Sequence, residues 1–110
     1  MSAPVAPGGT DADRVAAAVL GCPGVAALHG GPFGEIATYL PGRRVAGIRV
    51  HPDDTADTIT AVEVHVIGRF PASVVEIARQ VRSALHPVVG AAPVDVVVGD
   101  YAEPSSSART

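Results

Sequence analysis

Residues 59–87, ITAVEVHVIGRFPASVVEIARQVRSALHP, contain a change of period that decides the fold. From Ile59 to Gly68 the pattern repeats every two residues. Val62, Val64 and Val66 point one way, and Glu63, His65 and Ile67 point the other. That alternation is the mark of a half-buried strand. After Phe70-Pro71 the period lengthens to that of a helix. Ser73 and Glu76 have capping-box spacing, with Ala72 and Ile77 in the staple positions. Val74, Ile77, Ala78, Val81 and Leu85 form an apolar stripe, while Glu76, Arg79, Gln80 and Ser83 face outward. Pro87 and Gly90 are expected to end this helix. A one-faced strand followed by a one-faced helix calls for a layered fold.

The stretch upstream extends the same sheet. A third strand is expected from about Arg44 to His51, with Ala46, Ile48 and Val50 opposed to Gly47, Arg49 and His51. Pairing it with the strand at 59–68 around the acidic loop PDDTADT, even residues facing even, sets Ile48 near Val62. Arg49 then lies diagonal to Glu63 on the polar face. Before it come a short helix, about Asp11–Leu20, and strands at about Val25–His29 and Glu35–Leu40. Thr10 and Asp13 have cap-like spacing, and Gly21 and Pro23 stop the first helix. Pro41-Gly42 suits a type II turn, and a longer or bulged connection is expected there. The segment VDVVVGDY closes the order as a final strand.

The expected fold is α+β. It is a two-layer sandwich: a mainly antiparallel sheet of about five strands with two helices on one face, in the order α-β-β-β-β-α-β. A helix between the last two strands implies a right-handed crossover if those strands are parallel. The chain of 110 residues reads as one domain at 10–101, between a Pro/Gly/Ala-rich segment at 1–9 and a tail at 102–110, both read as disordered.

Composition narrows the function. Hydrophobic residues are 47% of the chain but aromatics only 4%, so the core must be Val, Ile, Leu and Ala. The net charge of -3 is wrong for a general nucleic-acid binder. There is no Lys and no Asn, which excludes a Schiff-base lysine and a Cys-His-Asn triad. The single Cys22 cannot form an internal disulfide, and it follows the negative end of a helix dipole, which disfavours a thiolate. No basic-plus-apolar leader and no run of about 20 apolar residues is present. The protein is expected to be cytoplasmic, with any membrane association made through a partner and not by insertion.

Candidate sites are few. His29, His51, His65 and His86 show no metal-ligand spacing, although His51, His65 and Glu63 share a sheet face. Asp53, Asp54 and Asp57 fit a solvated turn better than a calcium loop. GGPFGE lacks the Lys and Ser/Thr of a phosphate loop and precedes a strand. Arg43 and Arg44, with Arg49 nearby, form the clearest basic cluster, read as a solvated hairpin shoulder that can double as a partner contact. No aromatic platform is evident beside them, so base stacking lacks support. The residues kept as a partner-binding set are Arg43, Arg44, Arg49, His51, Glu63 and His65. Catalytic, cofactor and metal residues are none. A small nucleic-acid-binding module using Arg43, Arg44 and Arg49 is the alternative.

The order of motifs adds a resemblance. VLGCPGVAALHGG, GRRVAGIRV, an acidic gap, VEVHVIGRF, SVVEIARQVRSAL and VDVVVGDY follow one another over about residues 12–101. This pattern resembles the alkaline shock protein family of envelope-stress proteins, in its short actinobacterial-type form. The resemblance implies a bacterial, non-enzymatic protein-protein interaction module. Its partners would be itself and/or a small integral-membrane protein. It carries over structural positions alone: the turn glycines Gly24, Gly42 and Gly47 and the strand valines.

Overall fold

A computed structural model describes residues 11–31, 33–52 and 59–102. The elements are α1 (Asp11–Leu20), β1 (Val25–Leu28), β2 (Ala37–Leu40), β3 (Arg43–Ala46), β4 (Ile48–Pro52), β5 (Ile59–Arg69), α2 (Val74–Val89) and β6 (Val94–Ala102). The α+β class and the layered order are as expected. Thr10, the acidic residues at 53, 54 and 57, and the tail beyond Ala102 lie outside the described residues. Ala102, assigned to the tail by composition, is the last residue of β6.

β5 is the spine. One of its edges pairs in parallel with β6, from Val62–Val94 to Arg69–Ala102. Its other edge serves two antiparallel strands laid end to end. β4 covers Ile59 to Val64, and β1 covers Val66 to Gly68. They meet at the main chain of His65. Its N–H donates to the Gly47 carbonyl at 2.8 Å, and its carbonyl accepts from the His29 N–H at 2.8 Å.

Gly47 makes that junction possible. Its φ is 83°, and a Cβ there would stand 2.9 Å from both the His65 carbonyl oxygen and Leu28 Cβ. The turn of the backbone at Gly47 divides the run read as one strand at Arg44–His51. β3 leaves the main sheet and pairs with β2 in a separate two-stranded ribbon. Leu40 faces Arg43, so the hairpin closes in the two residues Pro41 and Gly42, without the extra length expected. Gly42 has φ 78°, as the third position of a type II turn requires.

The β4–β5 register also differs from the expected one. Ile48 faces Val64, not Val62, and Arg49 lies directly opposite Glu63, not diagonally. A slip of two residues leaves every side chain on its own face, so alternation alone cannot choose between these registers.

Both helices lie on the valine face. Val62, Val64 and Val66 are at most 1% exposed, packed with Val15 and Val19 of α1, Ile77, Val81 and Leu85 of α2, and Ile48 and Val25. Ser73 caps α2, its hydroxyl accepting from the Glu76 N–H at 3.1 Å. Pro87 does not end the helix. It sits in the last turn, where the Ser83 carbonyl that it leaves unpaired belongs to an exposed residue, and Gly90 closes the helix instead. Two residues of the expected stripe pattern exchange roles. Val74, in the first turn, is half exposed. Gln80 turns inward to accept from the Gly24 N–H at 2.8 Å.

Gly42 and Gly47 separate strain from crowding. A Cβ at Gly42 would meet nothing within 4 Å, whereas one at Gly47 would strike the β1–β5 backbone. Gly42→Ala is expected to cost about 1–2 kcal/mol, the left-handed penalty alone. Gly47→Ala is expected to cost clearly more in the same urea titration, read by circular dichroism.

Candidate interaction surface

The three arginines of the expected set all have internal duties. Arg43 makes a two-pronged ion pair with Asp13 of α1, Nη1 to Oδ1 at 2.9 Å and Nη2 to Oδ2 at 2.7 Å. That bond ties the hairpin to the helix layer. Arg44 donates to the Gly34 carbonyl at 2.8 Å. Arg49 donates to the Glu35 carbonyl at 3.0 Å and stands 3.5 Å from Glu63 Oε1. Extended guanidinium forks suit this role, since each can serve more than one acceptor.

Glu63 continues the chain of contacts on the polar sheet face. Its Oε2 lies 2.7 Å from His65 Nε2. The bond to His65 comes first among the influences that hold the Glu63 carboxyl below the usual carboxylate range, with the charges of His65, Arg49 and His51 adding to it. His51 is exposed and opposite Ala61. His51, His65 and Glu63 are not drawn into a common ligand set: among the described residues no group of three His, Cys, Asp or Glu side chains could hold a metal ion. Cys22 is buried, its thiol directed at the Ala18 carbonyl at 3.6 Å, and burial pushes its pKa up. Such a thiol is a poor nucleophile.

The glycine-rich turn is clamped from several sides. Gly31 N–H donates to His29 Nδ1 at 2.9 Å, and Phe33 N–H donates to Glu35 Oε1 at 3.1 Å. Arg44 and Arg49 hold the carbonyls of Gly34 and Glu35. What this turn presents is Phe33, 92% exposed.

Tyr39 joins the same surface. It is the cross-strand partner of Arg44 in the β2–β3 ribbon, so the two side chains share a face. Arg44 in turn touches Gly34, the neighbour of Phe33. Arg44 therefore has one aromatic beside it, Tyr39, where the sequence offered no aromatic platform, and the turn that carries Phe33 is bonded to the same arginine. All four aromatic residues are on the surface: Phe33 at 92%, Tyr39 at 69%, Phe70 at 60% and Tyr101 at 36% exposed. None enters the aliphatic core. The available signal was Phe33 lying between Pro32 and Gly34, in a turn instead of a strand.

No family model, curated protein or solved structure matches this chain.

Glu63 makes acid stability testable. A carboxyl depressed in the fold contributes stability that is complete above the unfolded glutamate value, about 4.3. That contribution is lost as pH falls through the lower folded value. Glu63→Gln is therefore expected to flatten this part of the stability curve. Thermal midpoints of parent and variant, measured from neutral pH to about 3, should converge on acidification.

Proposed function

We propose that this chain is a non-enzymatic protein-protein interaction module of the envelope-stress, alkaline-shock kind, working in the cytoplasm close to the membrane. The observation that carries the reading is the exposure of Phe33 and Tyr39 on a turn and a hairpin that Arg44 joins, paired across the strands with Tyr39 and bonded to the Gly34 carbonyl next to Phe33. Aromatic side chains and arginine are the residues most enriched at the energetic centres of protein interfaces. A chain with four aromatics and an all-aliphatic core keeps each of them where a partner can reach it. The clamping lowers the ordering cost on binding, because the turn is held before the partner arrives. The polar face of Arg49, Glu63, His65 and His51 lies further along the sheet and is largely paired within itself, so it serves as a secondary rim.

The partner class follows from the resemblance: a small integral-membrane protein, a second copy of this chain, or both. None of the described helices is long and apolar enough to cross a bilayer, which suits recruitment by a partner. A photo-crosslinking amino acid placed at Tyr39 in cells tests the reading. The expected product is a discrete adduct with a membrane polypeptide that disappears when Phe33→Ser is added. Absence of any adduct at Tyr39 and at Phe33, with the protein folded and abundant, would overturn it.

A second reading is favoured by the same aromatics. Phe33 and Tyr39 beside Arg44 could stack single-stranded bases, each worth about 1–3 kcal/mol. It is weakened by the engagement of Arg43 with Asp13 and of Arg49 with Glu63. Anisotropy of a labelled single-stranded oligonucleotide decides: this reading requires binding at low salt that falls steeply as salt rises and is lost in Tyr39→Ala.

A further inference from the structure

β6 is the open edge of the main sheet: among the described residues it pairs only with β5. The Val62 N–H donates to the Pro93 carbonyl, so Pro93, Asp95 and Val97 turn their polar groups toward β5. Val94, Val96 and Val98 turn theirs away. The first of these is capped, since Arg82 Nε donates to the Val94 carbonyl at 3.0 Å. Past the shift of register between Val66 and Ile67, Asp100 caps the Tyr101 N–H at 2.8 Å. Between the two caps, the N–H and carbonyl groups of Val96 and Val98 are left as an open rung.

The helix layer stops short at the same edge. α2 packs on β5 and β6 and runs antiparallel to β6, with Arg82 level with Val94 and Ala72 level with Tyr101. Its flank bears Val74, Val75 and Ala78 around an open groove of about 920 Å³ that also touches Arg79, Arg82 and His86. Val74 and Val75 are exposed.

We propose that a second copy of this chain fills this edge, with the two β6 strands antiparallel about a twofold axis at Val97. In that register Val96 faces the partner's Val98, and Val98 faces the partner's Val96. The N–H and carbonyl groups of Val96 and Val98 are then matched. The two caps also become complementary, because Val94 with its Arg82 comes opposite the partner's Asp100. Asp95 faces the partner's Gly99, so the acidic side chains stay apart. The roof fits as well. Adjacent strands are about 4.8 Å apart. Two helices each lying over a β5–β6 pair therefore stand two strand spacings apart, within the 8–10 Å at which helices pack. Ala78, level with the axis, has the small side chain that such an approach needs, and Val74 and Val75 meet the stem of the partner's Arg82. The product is one continuous eight-stranded sheet with closed symmetry, so assembly stops at two.

This deepens the proposed function by naming one partner, at an edge separate from the Phe33–Tyr39 surface, and the two can fail independently. The test is sedimentation equilibrium of the full chain with three variants. The parent is expected to be a dimer. Val96→Pro removes an N–H that β5 does not use, and should give a monomer with unchanged circular dichroism. Ala78→Arg should also give a monomer. Val97→Cys places two thiols in a non-hydrogen-bonded pair, with Cα atoms about 4.5 Å apart, close enough for a disulfide on mild oxidation. A monomeric parent would overturn the proposal. So would a dimer that tolerates Ala78→Arg while Val97→Cys stays reduced, which would place the contact elsewhere. Either result leaves the Tyr39 crosslink to be judged alone.

Discussion

The main chain of one residue, His65, holds two strands at once. β1 and β4 abut along a single edge of β5, and they can do so only because the chain at Gly47 carries no side chain. The geometry is unforgiving. Gly47 sits against the His65 carbonyl and Leu28, and its own N–H donates to the Ile36 carbonyl at 2.7 Å. Remove that fit and β4 loses its start, β1 its end, and the β2–β3 ribbon its direction. The valine face beneath is then no longer spanned by a continuous sheet. Beyond the junction, Arg43 fastens the ribbon to Asp13, Thr38 fastens it to the Ile48 carbonyl, and Arg49 holds the Glu35 carbonyl just before it.

What can be read in the residues and what cannot divides along physical lines. Periodicity reports faces. It located β5 and α2, and it named Val62, Val64, Val66, Ile77, Val81 and Leu85 as core, because burial on one side leaves a trace at every second or every third-to-fourth residue. Register is a different quantity. Ile48 opposite Val62 and Ile48 opposite Val64 have the same parity and the same buried faces. Alternation read Gly47 as a strand residue, and only the resemblance set it among the turn glycines, because its need for φ 83° comes from Leu28 and His65, which are distant in sequence. Pro87 looked like a terminator, because local rules do not record that the residue whose carbonyl it leaves without its helical partner, Ser83, is exposed. Gln80 looked like a surface residue until Gly24 arrived beneath it.

The surface was harder to read than the core for the same reason. An exposed side chain has no periodic partner to betray its role. Arg43, Arg44 and Arg49 were visible as a cluster, but their acceptors are Asp13, Gly34, Glu35 and Glu63, spread over three segments. Tyr39 was visible only as one of few aromatics, and Phe33 only by its place in a Pro/Gly turn. Placing them beside Arg44 required the two-residue hairpin to fix the Tyr39–Arg44 pair and the glycine turn to deliver Phe33. The core dispenses with rings because valine and isoleucine suit a two-layer contact, and the large side chains stay at the surface.

The end-to-end arrangement of β1 and β4 also sets contacts of very different sequence reach side by side on one edge. The β4–β5 hairpin and the β5–α2–β6 unit join neighbours in the chain, so their loop-closure cost is small. β1 meets β5 only across a gap of roughly forty residues. The valine face is thus closed by segments of very different reach: Val15, Val19 and Val25 are seated on a surface that residues far along the chain supply.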